Sequence, residues 1–439
     1  MRSVDEHRQL VAALISARPP MTLPVTHSTA ALGLVLAEDV VAPLSLPGFD
    51  NSAMDGYAVI VDDIATASED TPVRLPVTED IPAGRTDPTT ITAGTAQRIM
   101  TGAPLPAGAT GVVPVEATDG AIDTVTIRAS VRPGQHIRRA GEDVTSGATV
   151  LRTGQAVTPA VLGLAAALGL AELSVVPRQR VLVMSTGTEL VAPGTPLEPG
   201  QIYESNAVML AAAVREAGGE VVAAPMTGDD VDVFRETLRG WTGCGGDRVD
   251  LIITTGGVSA GAYEVVKDAL SGTVEFVKVA MQPGMPQGAG TFGDADGEDA
   301  KGEDAKGEDA AATPTVTAPI ARTPIARTPI VTLPGNPVSA LVSFEVFVRP
   351  ALRAAMGLPN PDRPRRTAIL AENLTSPRGK RQFRRGVLED GPAAATVTSY
   401  GPPASHHLRW LASANCLLEL AEDTVEVAAG QRVQVWDLR

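Results

Sequence analysis

From Arg180 onward the chain repeats one rhythm: an apolar run, a turn bearing glycine or an acid, then a helical pattern. "RVLVMSTGTEL" (180–190) leads into "ESNAVMLAAAVREAGG" (204–219), "EVVAAPMTGDD" (220–230) into "VDVFRETLRGW" (231–241), and "VDLIITTGGVS" (249–259) follows. Short apolar runs alternating with helical segments predict strands of a parallel α/β sheet, covered on its faces by helices. Ligands of such sheets sit beyond the carboxyl ends of the strands. The turns place Glu189, Asp229, Asp230, Gly256, Gly257, Ser259 and Glu264 there.

A chain of 439 residues has room for about three domains. Residues 1–176 read as a helical region: a first helix, a proline-rich break, a short second helix over "HSTAALGLVLA" (27–37), and a helix in "TPAVLGLAAALGL" with Thr158 as N-cap and Pro159 at its first position. Inserted at about 45–145 is a β-rich subdomain of short runs such as "YAVIV", "TAQRIM" and "GVVPV". The α/β domain covers 177–357. Within it, about 293–330, lie the tandem "GEDAKGEDAKGEDA" and "IARTPIARTPI", which cannot bury enough apolar surface to offset the entropy of ordering and are expected to be a disordered insertion. Residues 358–439 return to short strands, a small β-barrel-like domain.

The formal net charge of −15 argues against nonspecific attraction to nucleic acid or to an anionic membrane surface. The amphipathic, charged start is neither a signal peptide nor a membrane span. Cys244 and Cys416 are far apart and form no CxxC, which speaks against structural zinc and a disulfide framework. A cytoplasmic setting is expected.

Several turns carry chemistry-bearing residues. The glycine pair of "TTGGVSAG" (254–261) lets backbone N–H groups approach a phosphate; a plain tight turn is the alternative, and neither a P-loop nor GxGxxG is present. "PGNPVS" (334–339) repeats the shape, with Pro334 and Asn336 ahead of a helix whose first turn can face an anion, or as a rigid connection only. Glu189, Asp229 and Glu264 occupy equivalent sheet positions, where acids either cap helices or hold a hard cation such as Mg²⁺ through oxygen. "HIRRAGEDV" (136–144) sets Arg138 and Arg139 beside Asp143, as surface ion pairs or as anion ligands. "GPPASHHLRW" (401–410) carries Ser405 and two histidines, His406 and His407, without metal-ligand spacing. In "NSAMDGYA" (51–58), Asp55 has no acid or base nearby in sequence to share its work.

In their order, "NSAMDGYAV", "IMTGAPLP", "IRRAGEDV", "STGTEL", "TTGGVSAGAYEVVKDAL" and "LPGNPVSA" resemble the molybdopterin molybdenumtransferases, the MoeA family, which includes the E-domain of gephyrin-like proteins. The resemblance spans nearly all of the chain outside the low-complexity insertion. It implies an elongated homodimer whose N-terminal helical and β-rich region, molybdopterin-binding α/β domain and C-terminal β domain build an active site between subunits, so that Asp55 finds its partners across the interface. The implied reaction consumes adenylylated molybdopterin and molybdate and releases AMP. By matching position Asp55, Thr101, Asp143, Glu189, Asp229 and Lys278 correspond to functional positions, with Glu264 where the family often has Asp. Carboxylates repel oxyanions, so they would work through Mg²⁺, leaving Arg138, Arg139 and Lys278 to hold anionic groups. One departure stands out: where the family commonly shows "KPGKP", this chain reads "QPGMP", with Gln282 and Met285. A molybdopterin adenylyltransferase-type step and a non-catalytic gephyrin-like scaffold are the competing readings.

Overall fold

The computed structural model describes residues 1–87, 89–242, 248–258, 265–293 and 327–439. Ser259, Glu264, Cys244 and most of the expected insertion lie outside them. The chain forms two compact units: Thr22–Val175, and Met1–Met21 together with Val176–Arg439.

In the first, a five-stranded sheet runs in the order Gly111–Pro114, Gly56–Val59, Ala96–Ile99, Val73–Ile81, Thr124–Ile127. Its apolar face buries Tyr57, Val59, Val113, Val125 and Ile127. The first two strands approach so closely at Gly56 that a Cβ there would sit 2.0 Å from the Val113 carbonyl oxygen, so only glycine follows Asp55. A helix, Pro159–Ala167, starts where Thr158 Oγ1 accepts from Val161 N and packs Val161, Leu162 and Ala165 against Leu36, Leu151 and Leu173. The second helix expected over 27–37 shrinks to Ser28–Ala31. Gly33, at φ 77°, turns the chain out of the helix, and Val35–Leu36 pairs as a strand with Glu172–Val176 instead.

The second unit holds the expected α/β sheet, but mixed. Glu220–Ala223, Arg180–Thr186, Leu251–Thr255 and Thr328–Leu333 are parallel neighbours in that order. Pro286–Phe292 and Val274–Lys278 then extend the sheet antiparallel. The short 279–285 connection contains no crossover helix, and a parallel pair needs one of a dozen residues or more. Thr328–Leu333 also claims the last positions of the expected insertion. The C-terminal strands Arg381–Glu389, Thr396–Ser399, Arg365–Leu370, Arg432–Asp437 and Cys416–Leu420 close on themselves as a small barrel. A two-residue strand, Met281–Gln282, adds to its side against Arg381–Gln382. Among the described residues no helix is long and apolar enough to cross a membrane.

The helix Val4–Leu14 begins with a reciprocal Ser3–Glu6 capping box and buries His7 completely. The His7 ring lies edge-on to Phe347 at 4.7 Å, and neither ring nitrogen has a hydrogen-bond partner. Burial first, then the nearby Arg2 charge, pushes its pKa down to about 4. The unfolded chain, protonating near 6.5, therefore binds the proton first. The stability due to neutral His7 is complete above about pH 6.5 and is lost on acidification toward about pH 4, a loss on the order of 3 kcal/mol. Thermal unfolding of His7→Phe should fall less between about pH 7 and about pH 5 than that of wild type; parallel profiles would show that His7 does not carry this dependence.

Candidate functional site

At the carboxyl edge of the parallel strands, three turns meet around a cavity of about 550 Å³. They follow Thr186, Thr255 and Leu333. Gly256 and Gly257 have φ of 98° and 60°, and a Cβ on Gly256 would lie 2.7 Å from the Thr186 carbonyl oxygen; both conformation and space demand glycine. Asn206 ties two of the turns together: its Nδ2 donates to Thr255 Oγ1 at 3.0 Å and to the Gly335 carbonyl at 2.6 Å. Its Oδ1 is buried without a partner, and so is the hydroxyl of Thr186, which lines the same cavity.

Glu189 and Asp229 both line this cavity and are exposed to it. Asp229 Oδ2 accepts from Thr188 N at 3.2 Å and Thr188 Oγ1 at 2.9 Å, which leaves Oδ1 for a ligand. Asp230 does something else: its Oδ1 accepts from the backbone of Asp232 and Val233, each at 2.9 Å, and starts the helix Val231–Thr242. Buried Glu204 accepts from Ser185 Oγ at 2.8 Å and Ala207 N at 2.6 Å, capping the helix Asn206–Glu216 while lining the cavity. Two carboxylates with free oxygens suit a hard cation that keeps waters and phosphate oxygens as its remaining ligands. Among the described residues no cluster of three or more His, Cys, Asp or Glu could hold a metal by protein groups alone.

Asn336 also lines a second cavity, of about 460 Å³, with Gln282, Met285, Lys380, Ser405 and His406. The barrel-side strand Met281–Gln282 brings the "QPGMP" turn to Lys380. Pro334 lines it as well. The first turn of the Pro337–Ser343 helix is not free to face an anion through Val338, whose N–H donates to the Ser405 carbonyl at 3.0 Å; that bond anchors Ser405 instead. Lys278 lines neither cavity. It ends its strand exposed, and the lysine in the lining of the second cavity is Lys380.

In the Thr22–Val175 unit, Asp55 and Thr101 come together although 46 positions separate them: Thr101 N and Oγ1 donate to Asp55 Oδ1 at 2.6 and 2.8 Å. These two bonds, the backbone one foremost, hold the carboxyl below the usual carboxylate range. Ile137–Arg138 pairs antiparallel with Asn51–Ser52, placing Arg138 on the neighbouring strand, exposed and without an ion pair among the described residues. Arg139 is committed elsewhere: its guanidinium contacts Asp50 at 2.6 Å. Asp143 is exposed, its backbone N–H bonded to Leu46 O at 3.1 Å.

Sequence reasoning thus missed Thr186, Glu204, Asn206 and Lys380. Asn206 sits at a helix start, and Lys380 in "SPRGKRQF" has only its position beside the barrel strand as a signal; neither stands out in the linear text.

The chain matches the family models of the MoeA N-terminal region (domains I and II) over residues 2–169, a probable molybdopterin binding domain over 182–354, and the MoeA C-terminal region (domain IV) over 367–438. It is 62% identical to molybdopterin molybdenumtransferase 2 of Mycobacterium tuberculosis, with 100% of each chain covered. Against molybdopterin molybdenumtransferase 1 of that species identity is 34%, covering 99% of this chain and 98% of the relative. A crystal structure of the molybdopterin biosynthesis moeA protein of Pyrococcus horikoshii OT3 superposes with a TM-score of 0.70 at 27% identity, covering 100% of both chains.

Proposed function

Because the chain belongs to the MoeA family, we propose that it is a molybdopterin molybdenumtransferase that inserts molybdenum from molybdate into adenylylated molybdopterin with release of AMP. The observation that carries this is the pair of adjoining cavities sharing Asn336, one lined by acids and glycine turns, the other by Lys380 and Ser405. The first suits the adenylylated pterin: Gly256 and Gly257 offer close backbone approach to phosphate, and Thr186 and Asn206 hold unpartnered polar atoms for its remaining groups. The second suits molybdate, with the Lys380 ammonium and Ser405 hydroxyl as donors to an oxyanion.

Glu189 and Asp229, with Glu264 beside them in sequence order, are the residues that would hold Mg²⁺. When bound, that ion would draw charge from the phosphate oxygens of the anhydride being cleaved. Thr188 orients the Asp229 carboxylate, and the flanking glycines keep bulk out of the phosphate's path.

The site is completed by a second copy of the chain: Asp55, held ionised by Thr101, reaches the cavity of the partner, with Asp143 and Arg138 on the same subdomain. Arg139 positions this segment through Asp50. Matches to the N-terminal and C-terminal family regions on both sides of the α/β domain favour insertion over the preceding adenylylation step. Purified protein supplied with adenylylated molybdopterin, molybdate and Mg²⁺ should release AMP and yield cofactor able to reconstitute a molybdenum apoenzyme. AMP release without active cofactor, or neither product, would refute the assignment.

A further inference from the structure

Of the three carboxylates that line the glycine-turn cavity, Glu204 is the buried one, 7% exposed. Its Oε1 takes both of the hydrogen bonds made to the side chain, from Ser185 Oγ and from Ala207 N. Oε2 accepts none among the described residues, and the cavity lining holds no lysine, arginine or histidine to neutralise it. A carboxylate oxygen held away from water without a donor is costly. The complement of this corner is therefore a ligand group that brings N–H donors.

The two residues just before Glu204 supply an apolar wall. Ile202–Tyr203 pairs in parallel with Leu190–Val191, and Leu190, Ile202 and Tyr203 line the cavity together with Glu204. Ile202 and Tyr203 are 54% and 44% exposed, and the Tyr203 hydroxyl donates to the Thr195 carbonyl at 2.8 Å, which holds the ring in place. A planar ring laid on this wall covers its apolar surface and carries its own edge to Glu204. The glycine turn suited to phosphate follows a different strand, Leu251–Thr255.

We propose that Glu204 selects and orients the ring end of the substrate: its Oε2 accepts from the amino-pyrimidinone edge of the pterin, with the ring against Leu190, Ile202 and Tyr203, an inference that rests on the molybdenumtransferase reading above. That edge presents an amino group and a ring N–H side by side, two donors toward one carboxylate. Adenine sets its amino group beside a ring nitrogen with a lone pair, which a carboxylate repels. The adenylyl half is thereby refused this corner, and the substrate enters in one direction, pterin to Glu204 and phosphates to the glycine turn.

The full chain is titrated with pterin, followed by its own fluorescence, and with AMP, followed by calorimetry. Glu204→Gln keeps an oxygen for Ser185 and Ala207 and sets an amide N–H where Oε2 was, donor against donor. It should weaken pterin binding by about tenfold or more and leave AMP binding unchanged. In the insertion assay the KM for adenylylated molybdopterin should rise more than kcat falls. Tyr203→Ala, at an exposed position, should also weaken pterin while keeping the wild-type unfolding temperature, and it decides the matter if Glu204→Gln does not fold. Wild-type pterin affinity in the folded variants, or equal losses of pterin and AMP, would overturn the role of Glu204 while leaving a protein that inserts molybdenum correctly assigned. A wild-type chain that binds no pterin and inserts no molybdenum would overturn both.

Discussion

Asp55→Asn should abolish molybdenum insertion while leaving the fold intact. The asparagine still offers an oxygen to the N–H and hydroxyl of Thr101, which bond Asp55 Oδ1 at 2.6 and 2.8 Å, so the turn keeps its shape and only the charge is lost. Glu189→Gln should be equally inactive, because it removes a negative oxygen from the glycine-turn cavity. If the two groups meet across a two-fold interface, mixing the two dead proteins regenerates one intact site in each heterodimer. Random subunit exchange makes about half of the dimers hetero, and each has one good site of two, so the mixture should recover about a quarter of wild-type activity. No recovery from isolated heterodimers would mean that each chain builds its site alone. Collapse of Asp55→Asn into aggregates would assign Asp55 to the fold rather than to the reaction.

The second large effect is expected at Lys380. The cavity proposed for molybdate is lined by one lysine and no arginine among the described residues, since the "QPGMP" turn contributes Gln282 and Met285. A charged hydrogen bond to an oxyanion is worth roughly 1.5–3 kcal/mol. Lys380→Ala should therefore weaken molybdate binding by about ten- to a hundredfold, read by calorimetry in low salt. Gln282→Lys with Met285→Lys should move affinity the other way and steepen its salt dependence. Wild-type affinity in Lys380→Ala would place molybdate elsewhere. Lys278→Ala, by contrast, should matter little, because Lys278 lines neither cavity.

The central sheet was readable because its signal is local: each parallel strand is an apolar run closed by its own glycine turn, and the turns at Thr186, Thr255 and Leu333 converge as expected. The antiparallel extension was not, since Pro286–Phe292 reads "PQGAGTF" and is set by pairing with distant strands. The same division holds at the site. Gly256, Gly257, Glu189 and Asp229 announce themselves by position after a strand. Asn206 and Glu204 act through hydrogen bonds to Gly335 and Ser185, and Lys380 shares a cavity lining with Gln282; no periodicity encodes those. Lys278 shows the converse limit: a cation at a strand end can face either side, and the linear text does not say which.

The strand Met281–Gln282 gives the C-terminal barrel a hold on the turn that lines the second cavity, with consequences for how such a gene can be recombined. A barrel exchanged as a module would bring its own version of Arg381 and Gln382, and the grafted edge would have to accept a dipeptide that evolved with a different partner. Sequence drift at 281–285 and at 380–382 should therefore be correlated, and a chimera joined near 360 would inherit a misfitted seam inside the pocket even if both halves folded on their own.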